Sequence, residues 1–285
     1  MARFPRALKT HYFHQGSSQL TIAQQGAHLL SWAVDGAEQL YMSPAAVLDG
    51  TAPIRGGVPV CFPQFNMRGA LPKHGFARTL PWALVADAPH PCFELTSSDT
   101  TRALWPFDFV TRLQFELSDQ TLRMVWTVTN TGAELLAFTG ALHTYLAVAN
   151  IADTRLGGLQ GQKEWDSVQD KTLATCRVVG SEPLMLTSEF DRVYTAPSAD
   201  SPIRVLDGGR VLEITQSASL ANTVVWNPHA ELCAAIADLP TDGYEHMLCV
   251  EAAQVLSPIT VPAGDTWTGW QQLCVLPFNT SILKG

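Results

Sequence analysis

Apolar and polar residues alternate along much of this chain. In FDFVTRLQFEL, Phe107, Phe109, Thr111, Leu113, Phe115 and Leu117 fall on one face, and Asp108, Val110, Arg112, Gln114 and Glu116 on the other. A period of two is what a half-buried strand requires. TLRMVWTVTN repeats it with Leu122, Met124, Trp126 and Val128, and Ser118-Asp119-Gln120 between the two segments predicts a hairpin. QLTIAQQ, HLLSWAV, GRVLEITQ, NTVVWN, EHMLCVEAAQV and DTWTGWQQLCVL read as further strands. Turn signals recur at Asp35-Gly36, Asp49-Gly50, Thr131-Gly132, Asp207-Gly208-Gly209 and Asp242-Gly243. Long amphipathic helices are missing, and 18 prolines would interrupt most of them. No linker, repeat or shift in composition divides the chain. The pattern predicts an all-β protein, a large antiparallel β-sandwich or barrel with few short helices, and residues 1–285 as a single domain.

Composition narrows the function. A hydrophobic content of 46% with 15% charged residues marks a compact globular chain. The net charge of −8 argues against nucleic acid or an anionic membrane bound over a broad surface. A small anionic ligand stays compatible, because a local cluster can reverse the global sign. Cys61, Cys92, Cys176, Cys233, Cys249 and Cys274 are scattered without a C-x-x-C pair. They read as reduced thiols of a cytoplasmic protein. The segment MARFPRALKTHYFHQGSSQL lacks the apolar core of a signal peptide. LLAFTGALHTYLAVANIA is interrupted by His143 and Thr144 and is not read as membrane-spanning. Oligomeric state is not legible, and a monomer is the default expectation.

One segment stands out against the acidic background. Ile54 to Leu84, IRGGVPVCFPQFNMRGALPKHGFARTLPWAL, carries Arg55, Arg68, Lys73, His74 and Arg78, and no Asp or Glu lies between Ile54 and Arg78. Cations without local partners invite an external anion, and Arg suits phosphate or carboxylate through its planar fork. Gly56 and Gly57 would let backbone approach a ligand closely, and the prolines would stiffen the loop. The plainer alternative is a set of surface charges on an irregular loop. His143, in GALHTYLAV, sits mid-strand by pattern and is either a hydrogen-bonded core residue or a catalyst. Glu251, in MLCVEAAQV, is expensive to bury unless paired. It is either an edge-strand residue facing water or a carboxylate tuned to act as a base with a histidine as acid. The chain has no H-E-x-x-H, zinc-type Cys/His spacing, phosphate-binding G-x-x-x-x-G-K-[ST], G-x-S-x-G or G-x-G-x-x-G. Chemistry with acids, bases and fixed charges, and without cofactor or metal, is expected.

Six blocks in order, IRGGVPVCFPQF, LPKHGFARTLPW, ALHTYLAV with its GLQG turn, EFDRVY, VVWNP and MLCVEAAQV, resemble the hexose-6-phosphate mutarotases of the aldose 1-epimerase (galactose mutarotase-like) superfamily. The resemblance implies a β-sandwich with its site in a cleft on one concave face. It implies cofactor-free exchange of the α and β anomers of a phosphosugar, glucose 6-phosphate foremost. Position by position, it makes His143 and Glu251 the catalytic pair, with Glu251 as base and protonated His143 as acid. Arg55 and Arg78 fall at the substrate and phosphate end, Asp191 is substrate-binding, and His74 takes a binding part. Trp226, in VVWNP, is the aromatic expected in the cleft. Two departures are Lys73, where the family commonly has glutamine, and Trp165, where tyrosine is common. Two alternatives stay open: an epimerase of free aldoses, and a non-catalytic carbohydrate-binding protein on the same fold.

Overall fold

The computed structural model describes residues 8–277. Three antiparallel sheets account for the strands. The first large sheet has eight strands, in the order Arg177–Val178, Lys163–Asp166, Phe190–Thr195, Asn222–Asn227, Met247–Val261, Leu136–Leu142 and Val60–Cys61, with Tyr145–Ala147 also paired to Met247–Val261. The second, also of eight, runs Arg155–Gly157, Ile203–Asp207, Arg210–Gln216, Thr266–Leu276, Thr121–Asn130, Phe109–Leu117, Cys92–Thr96 and Ala83–Leu84. A smaller sheet is built from Thr10–Gln15, Ser18–Ala23, His28–Val34 and Ala37–Glu38. Helix among the described residues is confined to Asp99–Leu104, His229–Ala234 and two 3₁₀ turns.

The alternation decides which residues meet between the sheets. Phe109, Leu113, Phe115, Leu122, Met124 and Trp126 of the second sheet join Leu142, Val225, Leu248, Val250 and Ala252 of the first in one buried cluster. Trp126 is fully buried, and its indole N–H donates to Thr111 Oγ1 at 2.8 Å, so no polar group is stranded. Truncating it to alanine would cost about 3–5 kcal/mol. Leu117 pairs with Leu122 across Ser118–Gln120, the predicted hairpin. Asp35-Gly36 and Asp207-Gly208-Gly209 also join paired strands, whereas Asp242-Gly243 opens a 3₁₀ turn.

The period of two carries the other residues of Met247–Val261 to the opposite face of the first sheet. Cys249, Glu251, Ala253 and Val255 lie there, in contact with groups outside the interior cluster or at its margin. Part of the segment from Ile54 to Trp82 covers this face: Phe65 joins Ala253 and Val255 and His74 packs on His143, whereas Val58, Val60, Phe62 and Trp82 enter the interior cluster. Two glycines let the segment approach. Gly56 and Gly57 have φ of +104° and +60°, and a Cβ on either would strike the carbonyls of Tyr41 and Leu29. Their freedom serves approach to the chain's own strands, not to a ligand as the sequence suggests.

Candidate active site

Glu251 and His143 meet at the centre of the covered face. Glu251 lies in the middle of the sheet, paired with Val224, and is 1% exposed. The edge-strand alternative is thereby excluded. His143 is not mid-strand as its pattern predicts. It falls in the break between Leu136–Leu142 and Tyr145–Ala147, where its N–H donates to Pro59 O at 3.0 Å. Thr144 spans the rest of the break, and its hydroxyl donates at 2.5 Å to Gln271 Oε1 of the other large sheet. The sheet continues past the break, so His143 stays opposite Glu251: Leu142 pairs with Ala252 and Tyr145 with Cys249. His143 Nε2 lies 3.3 Å from Glu251 Oε1. Nδ1 of the histidine and Oε2 of the glutamate are buried with no partner.

The surroundings set the charges. Burial pushes the Glu251 carboxyl well above the usual range, with Asp191 adding to the shift and Lys73 opposing it. Burial holds His143 well below its ordinary value, reinforced by His74, Arg55, Arg78 and Lys73. Both shifts favour the neutral forms, carboxylic acid beside imidazole, over the carboxylate and imidazolium that the resemblance implies. His74 has a φ of +66° and accepts from Asn66 N–H through Nδ1 at 3.2 Å, leaving its own proton on Nε2. Burial and the same three cations lower it to about 2. A histidine that stays neutral can bind through Nε2 but does not cycle a proton near pH 7.

The other residues named from sequence gather at the same place. Asp191 pairs with Trp226, Trp226 with Cys249, and Cys249 with Tyr145, so one row crosses four strands beside the acid–base pair. Trp226 is half-buried, its ring edge-on to His143 at 6.2 Å. Asp191 is raised by burial and lowered by Lys171 and Lys73. Lys73 is exposed and makes no ion pair among the described residues. Arg78, in the turn Ala77–Thr79, donates from Nη2 to Lys73 O at 2.7 Å, and its buried Nε has no partner. Trp165 is in register with Val193, Val193 with Val224, and Val224 with Glu251, so it flanks the site without touching the pair.

Arg55 corrects the expectation of unpaired cations. Its Nε donates to Asp238 Oδ1 at 3.1 Å and its Nη1 to the Tyr145 hydroxyl at 3.2 Å. Asp238 is 183 residues away, so an acid-free stretch of sequence could not reveal it. Tyr145 was also missed, although it is next but one to His143. Arg68, noted only as one of the loop cations, donates to Val255 O at 3.3 Å and feels the charge of Asp191.

A cavity of about 310 Å³ lies elsewhere, lined by Leu30, Ser31, Glu38, Tyr41, Ala147 and His246 among others. Its acid is already engaged: Glu38 Oε1 accepts from the N–H groups of Trp32, Gln39 and Leu40. Glu251 and His143 each keep a buried atom without a partner while touching one another, which marks them as candidate acid–base groups.

Comparison with known proteins identifies the family. The family profile described as Aldose 1-epimerase matches residues 11–274. The chain belongs to the aldose 1-epimerase family. Proteins from Escherichia coli and Cenchrus ciliaris, each named "Putative glucose-6-phosphate 1-epimerase", are 37% identical over 241 residues and 33% identical over 267. The alignments cover 82% of this chain and 79% of the first protein, and 88% and 80% for the second. The crystal structure of a "putative mutarotase" from Salmonella typhimurium superposes with a TM-score of 0.83 at 30% identity, over 96% of this chain and 95% of that one. As a member of this family the chain is an isomerase of the epimerase type, with a sugar as substrate, on the β-sandwich its alternation predicted. Among the described residues, no helix is long and apolar enough to cross a membrane.

Proposed function

We propose that this epimerase interconverts the α and β anomers of a hexose 6-phosphate, glucose 6-phosphate foremost, with Glu251 and His143 as base and acid. The observation that carries the reading is the buried 3.3 Å contact between these two groups, set within the field of Arg55, Arg78 and Lys73. The names of the relatives support the choice of phosphosugar.

The steps balance within the pair. The base takes the proton of the anomeric hydroxyl while the acid protonates the ring oxygen, C1–O5 breaks and the aldehyde forms. Rotation about C1–C2 presents the other carbonyl face. The ring oxygen then attacks, returning its proton to one group as the other returns its own to O1. Each positioned group contributes about 10²–10⁴-fold. The proton that burial favours on Glu251 must first move. Arg55, Arg78 and Lys73 all act on His143. A phosphate dianion beside them cancels a field that disfavours the imidazolium. The proton then passes across the contact, leaving Glu251 as carboxylate base and His143 as acid.

The test is two-dimensional proton exchange NMR on the anomeric signals of glucose 6-phosphate and of glucose. Faster exchange for the ester supports the reading, and unchanged exchange for both at high enzyme concentration would sink it. A second reading, an epimerase of free aldoses, draws on the pairing of Arg55 with Asp238, which spends part of the charge meant for phosphate. Equal enhancement for both sugars would favour it. A pure binding protein would have no use for a buried acid and base that are costly to hold.

A further inference from the structure

His143 lacks the usual means of orienting a catalytic histidine. Such a ring is commonly fixed by a hydrogen bond from its second nitrogen to a carboxylate or carbonyl. Here Nδ1 is buried with no partner, and Nε2 faces Glu251, a reacting group. The ring is held by aromatic packing instead. Tyr145 stacks on it at 4.8 Å between centroids with 9° between planes. Trp226 and His74 close the edges at 6.2 and 5.5 Å, near perpendicular. In a regular strand, residues two apart are separated by about 6.6–6.8 Å. The break at His143–Thr144 brings these two rings into contact.

Tyr145 is fixed in turn. Its hydroxyl accepts from Arg55 Nη1, Arg55 Nε donates to Asp238 Oδ1, and the Asp238 carbonyl accepts from Ser43 Oγ at 2.6 Å. Its backbone is tied on both sides, to Gly57 O and Tyr41 N. A continuous line of contacts thus runs from Asp238 through Arg55 and Tyr145 to the imidazole.

We infer that Tyr145 is a positioning residue for His143, set in place by Arg55 and Asp238, so that Arg55 acts on the imidazole through Tyr145 as well as on any bound anion. The kinetic part of this inference rests on the mutarotase reading, and the spectroscopic part does not.

Tyr145→Phe keeps the stack and volume but cuts the tie to Arg55, and Asp238→Asn loosens the other end. With glucose 6-phosphate, Tyr145→Phe should lower kcat about tenfold with KM nearly unchanged, and Tyr145→Leu about a hundredfold, as small misplacements of a reacting group do. The double variant Tyr145→Phe/Asp238→Asn should be no worse than the poorer single one, because both cut the same line. If Arg55 serves only as an anion ligand, Asp238→Asn should instead lower KM with kcat unchanged, and that result would overturn the inference. The activity-independent readout is the ring-nitrogen spectrum of ¹⁵N-histidine-labelled protein, with His143 assigned from His143→Gln. Tyr145→Phe and Asp238→Asn should both shift the His143 signals. Unmoved signals in folded variants would refute positioning. Shifted signals without anomer exchange in the wild type would sustain it while rejecting the phosphosugar reading.

Discussion

Replacing Glu251 by glutamine should stabilise this protein near neutral pH while disabling it. The side chain is 1% exposed, and burial pushes its carboxyl well above the value of 4.5 that the unfolded chain shows. A carboxyl raised in the folded state favours folding most below pH 4.5, and that contribution is lost as pH rises toward the folded value. Above pH 4.5 the native protein must keep a proton that the unfolded chain releases, at about 1.4 kcal/mol per pH unit. By pH 7 the ceiling is about 3.5 kcal/mol. Glutamine has the same shape, can still hydrogen-bond His143 Nε2, and carries no such cost. At roughly 2–4 °C per kcal/mol for a chain of this class, Glu251→Gln should melt several degrees higher at pH 7. The gain should shrink steadily toward pH 4.5. Anomer exchange should fall by about 10²–10⁴. Thermal melts of both proteins from pH 4.5 to 8, paired with exchange NMR at pH 7, make the test. A gain that does not change with pH, or a variant less stable at pH 7, would refute the electrostatics; unchanged turnover would refute the assignment of Glu251.

Three buried histidines give the opposite pH trend. His28 is lowered to about 4 and His74 to about 2 by burial foremost, and His143 is held well below 6.5. Below pH 6.5 the unfolded chain takes up protons that these native side chains refuse, so stability falls as pH falls, by up to about 1.4 kcal/mol per unit for each. In Glu251→Gln, where the opposing carboxyl is gone, urea unfolding should show a clearly lower midpoint at pH 5 than at pH 7, and equal midpoints there would contradict the burial argument. Lys73→Gln should raise KM for glucose 6-phosphate about tenfold, the scale of one hydrogen bond to a charged group, and leave glucose unaffected. An equal change for both sugars would remove Lys73 from the phosphate end.

The β-sandwich was legible because alternation survives wherever one face of a strand is buried. Phe109–Leu117 and Thr121–Asn130 fall where the pattern puts them. The oddity of Glu251 was also legible, since a carboxylate in an apolar strand demands a partner. What was not legible came from contacts distant in sequence. Asp238 neutralises Arg55 across 183 residues, so a count of acids near Arg55 misleads. The break at His143 needs Thr144 to meet Gln271 across the sandwich, and no local propensity announces it. The same break made Tyr145 look like an ordinary strand residue. Gly56 and Gly57 were read correctly as places of close approach, but the approaching group is the chain's own backbone.

On the proposed mechanism, the cations and the acid–base pair act as one electrostatic unit, and specificity should appear in kcat as well as KM. The cations that attract a phosphate also add to the burial that holds His143 deprotonated. Free glucose would enter a site whose proton is still on Glu251, whereas glucose 6-phosphate brings the charge that moves it. Binding energy from a part of the substrate that does not react is then used in the chemical step. Phosphate and sugar need not be joined for this to work. Inorganic phosphate should raise the turnover of glucose at saturating sugar, and should compete with glucose 6-phosphate in the same assay. If phosphate slowed both substrates alike, or left glucose turnover unchanged while competing with the ester, the cations would be mere anchors and the proton on His143 would have to be supplied in another way.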